Sequence, residues 1–214
     1  MKREYQAVLF GLALVLGVGF MVSSTYNLAT AGVQNSKHDF TDATGASDLT
    51  GENQVCRPCH IPHRGATGLE APLWSRGTPS GSYSVYSSDT MNVTITDVDD
   101  TSKLCLSCHD GSLAINAYKF TDGTDATANS VTGGSALATS AAAYVGTDLK
   151  NDHPVGFSYA TSAAADPEID AAMNGLPLFN TGQVSCATCH DVHDALGAGS
   201  LLRITASGSQ ICLE

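Results

Sequence analysis

Three copies of one motif constrain this chain more than any other feature of its sequence. Each copy has two cysteines separated by two residues and then a histidine, at Cys56 to His60, Cys105 to His109 and Cys186 to His190. Six of the seven cysteines and three of the seven histidines lie in these copies. The pattern C-x-x-C-H is the attachment signature of c-type haem.

In that chemistry the two sulfur atoms bond the vinyl groups of a porphyrin and the histidine binds its iron. We therefore predict three covalently attached haem c groups. Their tethers are Cys56, Cys59, Cys105, Cys108, Cys186 and Cys189, and their first axial ligands are His60, His109 and His190. A zinc knuckle would need two cysteine pairs close together, and a redox dithiol would need one pair in a βαβ unit. Neither alternative accounts for a histidine after each motif's second cysteine.

The N-terminal residues have the composition of a secretory signal peptide. Lys2 and Arg3 precede an apolar run from Ala7 to Val22, and Ala29-Thr30-Ala31 matches an A-x-A cleavage site. We predict that residues 1–31 are removed and that the mature chain begins near Gly32. An uncleaved anchor is the alternative, although the run is short for a membrane span. Export agrees with covalent haem attachment, which bacteria carry out outside the cytoplasm.

The mature chain is acidic and has few periodic apolar segments. Residues 1–31 hold two of the ten basic and one of the 21 acidic residues, which leaves a formal charge of −12. That charge argues against nucleic acid and acidic membrane surfaces as partners, and we expect no stable membrane insertion. Because small and polar residues dominate, the aliphatic surface is too small to offset the ordering entropy of the chain. We expect the haem groups themselves to form the core.

Little regular secondary structure is expected. The sequence predicts short helices at Cys105–Phe120 and Asp166–Asn174. Apolar and polar residues alternate in Tyr83–Tyr86 and Met91–Val98, which predicts a weak hairpin. Small and polar residues dominate Asp122–Ala165, which is expected to be mostly loop. The predicted fold is therefore mostly coil, with short helices and a possible small hairpin.

An internal repeat divides the mature chain into two halves, about 32–120 and 121–214, within one domain. C-x-x-C-H-x-x-H occurs at Cys56–His63 and again at Cys186–His193, and the segment around Cys105 is echoed around Cys212. We interpret Cys212 as the first cysteine of a fourth motif that the sequence does not complete, so that four haems are expected in the full-length protein. A free thiol at Cys212 is the alternative.

The histidine count supports four haems independently. Outside the motifs the chain has His38, His63, His153 and His193, one for the second axial position of each haem. Surface histidines are the alternative. Since residues three apart leave a turn on the same face, His63 cannot easily complete the haem of His60, and His193 cannot easily complete that of His190. Each should serve a different haem, which brings haems close together. The mature chain has only two methionines, with no pattern around either.

The chain resembles the multihaem c-type cytochromes with doubled haem motifs. Within that group it is similar to the tetrahaem outer-surface cytochromes of metal-reducing bacteria, which polymerise into extracellular filaments. Besides the haem motifs, the resemblance rests on Lys37-His38-Asp39-Phe40, Pro72-Leu73-Trp74, Leu104 to Gly111, Asn151-Asp152-His153-Pro154 and Leu201-Leu202-Arg203. The incomplete fourth motif departs from that pattern.

The resemblance implies bis-histidine haems in a continuous stack and an electron conduit that is not an enzyme. It implies an extracellular or cell-surface homopolymer that exchanges electrons with redox proteins or extracellular acceptors. A soluble periplasmic shuttle and a multihaem reductase of a small oxyanion are the alternatives. The reductase would need a cluster of positive groups, for which Arg57, Arg64 and Arg76 are the candidates, and pairing with haem propionates is the alternative role of these arginines. In the resembling cytochromes a ligand can cross the subunit boundary, and we expect His38, near the mature N-terminus, to do so.

Haem number can be measured by intact mass. Protein of this sequence is expected to carry three haems through paired thioether bonds, and protein extended through a completed fourth motif is expected to carry four. Three haems in the extended protein would contradict the interpretation of Cys212 as part of a motif.

Overall fold

The computed structural model describes residues 32–41, 49–66, 69–79, 81–120, 123–193 and 201–213. The predicted signal peptide lies outside these residues. Within these residues the α-helices are α1 (Asp100–His109), α2 (Tyr159–Ala165) and α3 (Cys186–Cys189). Strands β1, Phe157–Ser158, and β2, Gln183–Val184, form a two-stranded antiparallel sheet, and 3₁₀ turns occur at Ala126–Asn129 and Ser207–Cys212. The expectation of a chain that is mostly coil with short helices is confirmed. Across the described part of the chain, every helix is too short or too polar to span a bilayer.

Helix α1 carries the second motif, but its bounds differ from the predicted helix Cys105–Phe120. It begins earlier because the carboxylate of Asp99 accepts a hydrogen bond from the Ser102 N–H at 3.0 Å and caps the first turn. It ends at His109 because Gly111 takes a φ of 71°, a conformation that glycine adopts without a steric penalty. The prediction of helix beyond His109 was wrong.

The predicted helix Asp166–Asn174 is also wrong, since that segment forms turns and the helix lies just before it. Helix α2 ends at Ala165, and Asp166 is extended, with φ −128° and ψ 109°. The cause is Pro167, whose ring disfavours helical backbone in the preceding residue. The expectation of loop for Asp122–Ala165 holds for most of its described residues and fails at β1 and α2.

The predicted hairpin between Tyr83–Tyr86 and Met91–Val98 does not form. Instead, Ser84 donates its N–H to the carbonyl of Thr147 at 2.9 Å and accepts a bond from the N–H of Leu149 at 2.8 Å. Val85 packs against the buried cluster of Val98, Leu106 and Leu149. Burial of alternate side chains against α1 therefore decides which segment pairs with Ser84, and the local alternation of apolar and polar residues does not decide it.

A second buried cluster contains Leu49, Tyr118, Ala126 and Val131. Beside it lies Glu52, a carboxylate with 0% exposure. The hydroxyl of Tyr118 donates to Glu52, and the guanidinium of Arg57, inside the first motif, donates to it at 2.7 Å. The buried charge is thus paired and hydrogen-bonded, as burial requires, and the network fixes the first motif to this cluster.

Asp99 connects α1 to the third motif. Beyond its capping bond, its carboxylate accepts hydrogen bonds from the Asn180 amide and the Ser185 hydroxyl, both at 2.7 Å. The Ser102 hydroxyl donates to the same carboxylate and accepts a bond from the Cys186 N–H at 3.0 Å. Ser185 is the N-cap of α3, so one buried carboxylate organises the start of both helices.

Removing the Tyr118 hydroxyl should test the Glu52 network. Tyr118→Phe leaves a fully buried carboxylate without one of its donors and should lower the free energy of unfolding by about 1–3 kcal/mol. Tyr86→Phe is the matched control, because no described residue hydrogen-bonds the half-buried Tyr86 hydroxyl, and should change it by less than about 0.5 kcal/mol. Urea denaturation followed by near-ultraviolet circular dichroism measures both, and equal effects would contradict the prediction.

Candidate functional site

Each of the three motifs forms a single helical turn. In the first and third motifs the histidine N–H returns to the first cysteine carbonyl, His60 to Cys56 at 2.8 Å and His190 to Cys186 at 3.0 Å. The second motif lies in the last turns of α1. Residues three apart share a face of such a turn, so both sulfurs of each motif are available to one flat group.

A short segment runs back along the first motif and is repeated at the third. The Ile61 N–H donates to the Leu73 carbonyl at 2.9 Å, and the Ser75 N–H donates to the Cys59 carbonyl at 2.8 Å. The third motif has the same pair of bonds, from Asp191 to Leu201 at 2.8 Å and from Arg203 to Cys189 at 2.9 Å. Leu73 and Leu201 both have positive φ, 59° and 56°. The two C-x-x-C-H-x-x-H segments thus share one backbone scaffold.

Two motif histidines have a fixed tautomer. Nδ1 of His60 lies 2.6 Å from the Pro72 carbonyl, and Nδ1 of His109 lies 2.7 Å from the Ala143 carbonyl. Since a carbonyl oxygen only accepts, each Nδ1 carries the proton and donates it. In the neutral ring Nε2 then keeps a free lone pair, and a bond from the other nitrogen to a backbone carbonyl is what metal-binding histidines usually make.

All three motif histidines face a second histidine. The ring centres of His38 and His109 lie 5.9 Å apart, and those of His60 and His193 lie 6.0 Å apart. The ring centres of His153 and His190 lie 6.4 Å apart. The angle between the two ring planes is 46° for His38 and His109, 34° for His60 and His193, and 20° for His153 and His190. The chain therefore brings six of its seven histidines together as three pairs, each with one motif member and one distal member.

These separations fit a metal ion between the two rings. Two metal–imidazole bonds of about 2 Å, with about 1 Å from each bonding nitrogen to its ring centre, put opposed rings roughly 6 Å apart. A haem iron takes two axial ligands from the protein, which is the number that each pair offers. The residues present therefore fit the predicted group.

Two buried polar atoms next to these pairs lack a partner among the described residues. They are Nδ1 of His38 and Nε1 of Trp74, whose ring contacts His60 edge to face at 6.0 Å. Burial, reinforced by the adjacent His109, lowers the pKa of His38 to about 4, so its ring is neutral at pH 7. Unpaired buried polar atoms require an explanation, and each of the two rings lies beside a motif histidine.

Neighbouring cysteines connect the motifs in chain order. Burial, reinforced by Cys108 of the second motif, raises the pKa of the Cys59 thiol to about 12. A hydrogen bond to Cys186 of the third motif, together with burial, raises the pKa of Cys105 well above its ordinary value. Burial and the nearby Cys212 raise that of Cys189. The same hydrogen bond lowers the pKa of Cys186, so these two thiols are in direct contact between the second and the third motifs.

Two predicted site residues, His63 and Cys212, belong neither to the three histidine pairs nor to the three complete motifs. Both are exposed, and His63 has no ring partner among the described residues. Within this chain His38 lies against His109, which favours the alternative of an internal ligand, and the crossing of His38 to another subunit stays a prediction. The Asp39 carboxylate holds this terminal segment by accepting hydrogen bonds from the N–H groups of Asn35 and Thr41, at 2.8 and 3.1 Å.

The basic residues named for a reductase have other partners. Arg57 pairs with buried Glu52, and Arg76 donates to the carbonyls of Ala114 and Ile115, at 2.9 and 2.6 Å. Sequence reasoning missed the buried polar groups Glu52, Asp99 and Arg76 as organisers of the motifs. The signal that could have revealed Asp99 is an acidic residue three positions before Ser102, at the start of the apolar stretch that carries the second motif.

Among the residues that the structure describes, no group of three or more His, Cys, Asp or Glu side chains is placed to hold a metal ion. The histidine pairs are different in kind, since each offers two ligands. No protein-family model matches the chain, and comparison with curated proteins finds no relative.

Proposed function

We propose that this protein is a multihaem c-type cytochrome that carries electrons and transforms no substrate. The observation that carries the proposal is the pairing of every motif histidine with a distal histidine ring at 5.9 to 6.4 Å. A C-x-x-C-H motif alone predicts only that a haem is attached. A second imidazole opposite each motif histidine is what distinguishes an electron carrier with both axial positions filled from an enzyme with an open one.

The proposal assigns each residue a task. The six motif cysteines tether the groups, and His38 with His109, His60 with His193, and His153 with His190 bind the irons. An iron held by each pair would supply one-electron chemistry between Fe(III) and Fe(II), and the residues of the chain would hold and orient it. The carbonyls of Pro72 and Ala143 orient His60 and His109 through their Nδ1–H groups.

Close spacing of the proposed groups is supported by shared segments. His190 and His193 are three residues apart and belong to different pairs, so one short segment serves both the first and the third motifs. The contact of Cys105 with Cys186 likewise joins the second motif to the third. We infer that electrons pass between neighbouring haems by outer-sphere transfer, with the protein fixing the spacing.

On the resemblance, the proposal extends to an extracellular protein that polymerises and delivers electrons to redox partners or extracellular acceptors. The periplasmic shuttle shares the same haem chemistry and differs in assembly. Electron microscopy of the secreted protein distinguishes a filament from a soluble carrier.

The spin state tests the ligation. Both axial positions filled by histidine should give low-spin spectra in the oxidised and the reduced protein, and no rapid binding of carbon monoxide after reduction. Absorption and electron paramagnetic resonance spectra of the intact protein measure this. A substantial high-spin fraction would favour the reductase alternative.

Single substitutions test the pairing itself. His193→Ala removes the ring opposite His60 and should make about one iron in three high-spin and able to bind carbon monoxide. His63→Ala is the matched control, since His63 lies three residues after its motif histidine, as His193 does, but has no described ring partner. In protein of this sequence the control should leave the three haems low-spin. Identical spectra for the two variants would contradict the assignment of His193.

A further inference from the structure

Two buried charges lie at the junctions between consecutive motifs. The side chain of Arg76 is 5% exposed and that of Asp99 is 7% exposed. Neither forms an ion pair within the described residues, whereas Arg57 pairs with Glu52 and Arg203 pairs with Asp191. Buried charges are normally paired, so two that are held by neutral groups alone require an explanation.

Arg76 lies between the first and the second motifs. Its neighbour Ser75 donates its N–H to the Cys59 carbonyl and its hydroxyl to the Pro58 carbonyl, at 2.8 and 2.9 Å. Its guanidinium donates to the hydroxyl and the carbonyl of Ser107, at 3.2 and 3.1 Å, within the second motif. With the bonds to Ala114 and Ile115, four of its five N–H groups are directed at neutral oxygens.

Asp99 lies between the second and the third motifs. It caps α1, which carries the second motif, and it accepts the Ser185 hydroxyl at the start of the third. All its bonds come from neutral N–H and O–H groups of Ser102, Asn180 and Ser185. The amides at the N-terminus of α1 offset part of its negative charge.

We propose that Arg76 and Asp99 shift the haem reduction potentials in opposite directions, so that the haem of the first motif is easier to reduce than the haem of the third. This inference rests on the proposed function. Reduction of Fe(III) to Fe(II) adds one electron, which a fixed positive charge favours and a fixed negative charge opposes. Buried charges are screened less by salt than exposed ones, and nearby charge is one of the means by which a protein tunes haem potentials.

The arrangement gives the conduit a direction. With haems bound, an electron supplied by a one-electron donor at the third motif would move towards the first, past Asp99 and then Arg76, and would leave to a one-electron acceptor. Three equal sites would give no preference. Arg76 and Asp99 act through their charge and bind no iron.

Spectroelectrochemical titration of the holoprotein tests the proposal. Arg76→Gln should lower the highest reduction potential in the titration curve, and Asp99→Asn should raise the lowest. Each should change the reduction equilibrium about tenfold, which is about 59 mV for one electron. Arg76→Lys keeps the charge and should retain the highest wild-type potential, which separates the charge from the hydrogen bonds.

Two neighbouring surface residues provide matched controls. Lys103→Gln and Asp97→Asn remove the same charges from an ion pair beside the second motif. Its nitrogen–oxygen distance is 2.9 Å, and its side chains are 23% and 53% exposed. Both should shift the curve much less than the buried variants, because surface pairs contribute little. Shifts no larger than these, or shifts of equal sign for Arg76→Gln and Asp99→Asn, would overturn the proposal.

The result separates this inference from the proposed function. If the protein carries low-spin haem and neither substitution changes its reduction potentials, the inference alone is refuted. If the wild-type protein carries no attached haem, both the inference and the proposed function are refuted. If Arg76→Gln does not fold, Asp99→Asn decides the matter, since an upward shift supports the proposal and an unchanged curve overturns it.

Discussion

Two imidazole rings that face each other across about 6 Å are the constraint on which the rest of this structure depends. The rings come from distant parts of the chain, as His60 and His193 show. In the proposed cytochrome a shared metal closes these long loops. The entropy cost of closing a loop grows only slowly with its length, so an irregular chain can be held by a few such closures in place of regular secondary structure.

Loop closure by the histidine pairs is not the only interaction that holds the fold together. The buried apolar clusters are small, Val98 with Leu106 and Leu149 in one and four residues around Tyr118 in the other. Hydrogen-bonded polar groups are buried as well, among them Glu52, which has 0% exposure. Such networks contribute less net stability than apolar packing of equal volume, but they specify geometry. Here they fix the motifs relative to one another, which an electron path requires.

The sequence predicted the coarse fold and the candidate residues, but not their partners. The motif spacing identified the cysteines and histidines because that chemistry tolerates little variation. The pairing of His38 with His109 could not be predicted, since no local pattern encodes which distant ring will lie opposite. Helix bounds failed where one residue decided the outcome, as with Pro167 and Gly111. The hairpin failed because burial of Val85 against α1 outweighed its alternating pattern.

The two C-x-x-C-H-x-x-H segments show why the repeat is clearer in the backbone than in the sequence. At the third motif Asp191 and Arg203 form an ion pair at 2.6 Å. The equivalent residues of the first motif, Ile61 and Ser75, are 1% and 3% exposed and carry no charge. Replacing an ion pair by buried neutral residues is often nearly neutral in stability, so side chains can diverge while the backbone bonds to Leu73 and Leu201 remain. The motif turn and the segment that returns along it are therefore the unit that is repeated, and charge can vary from one copy to the next without disturbing the motif histidines.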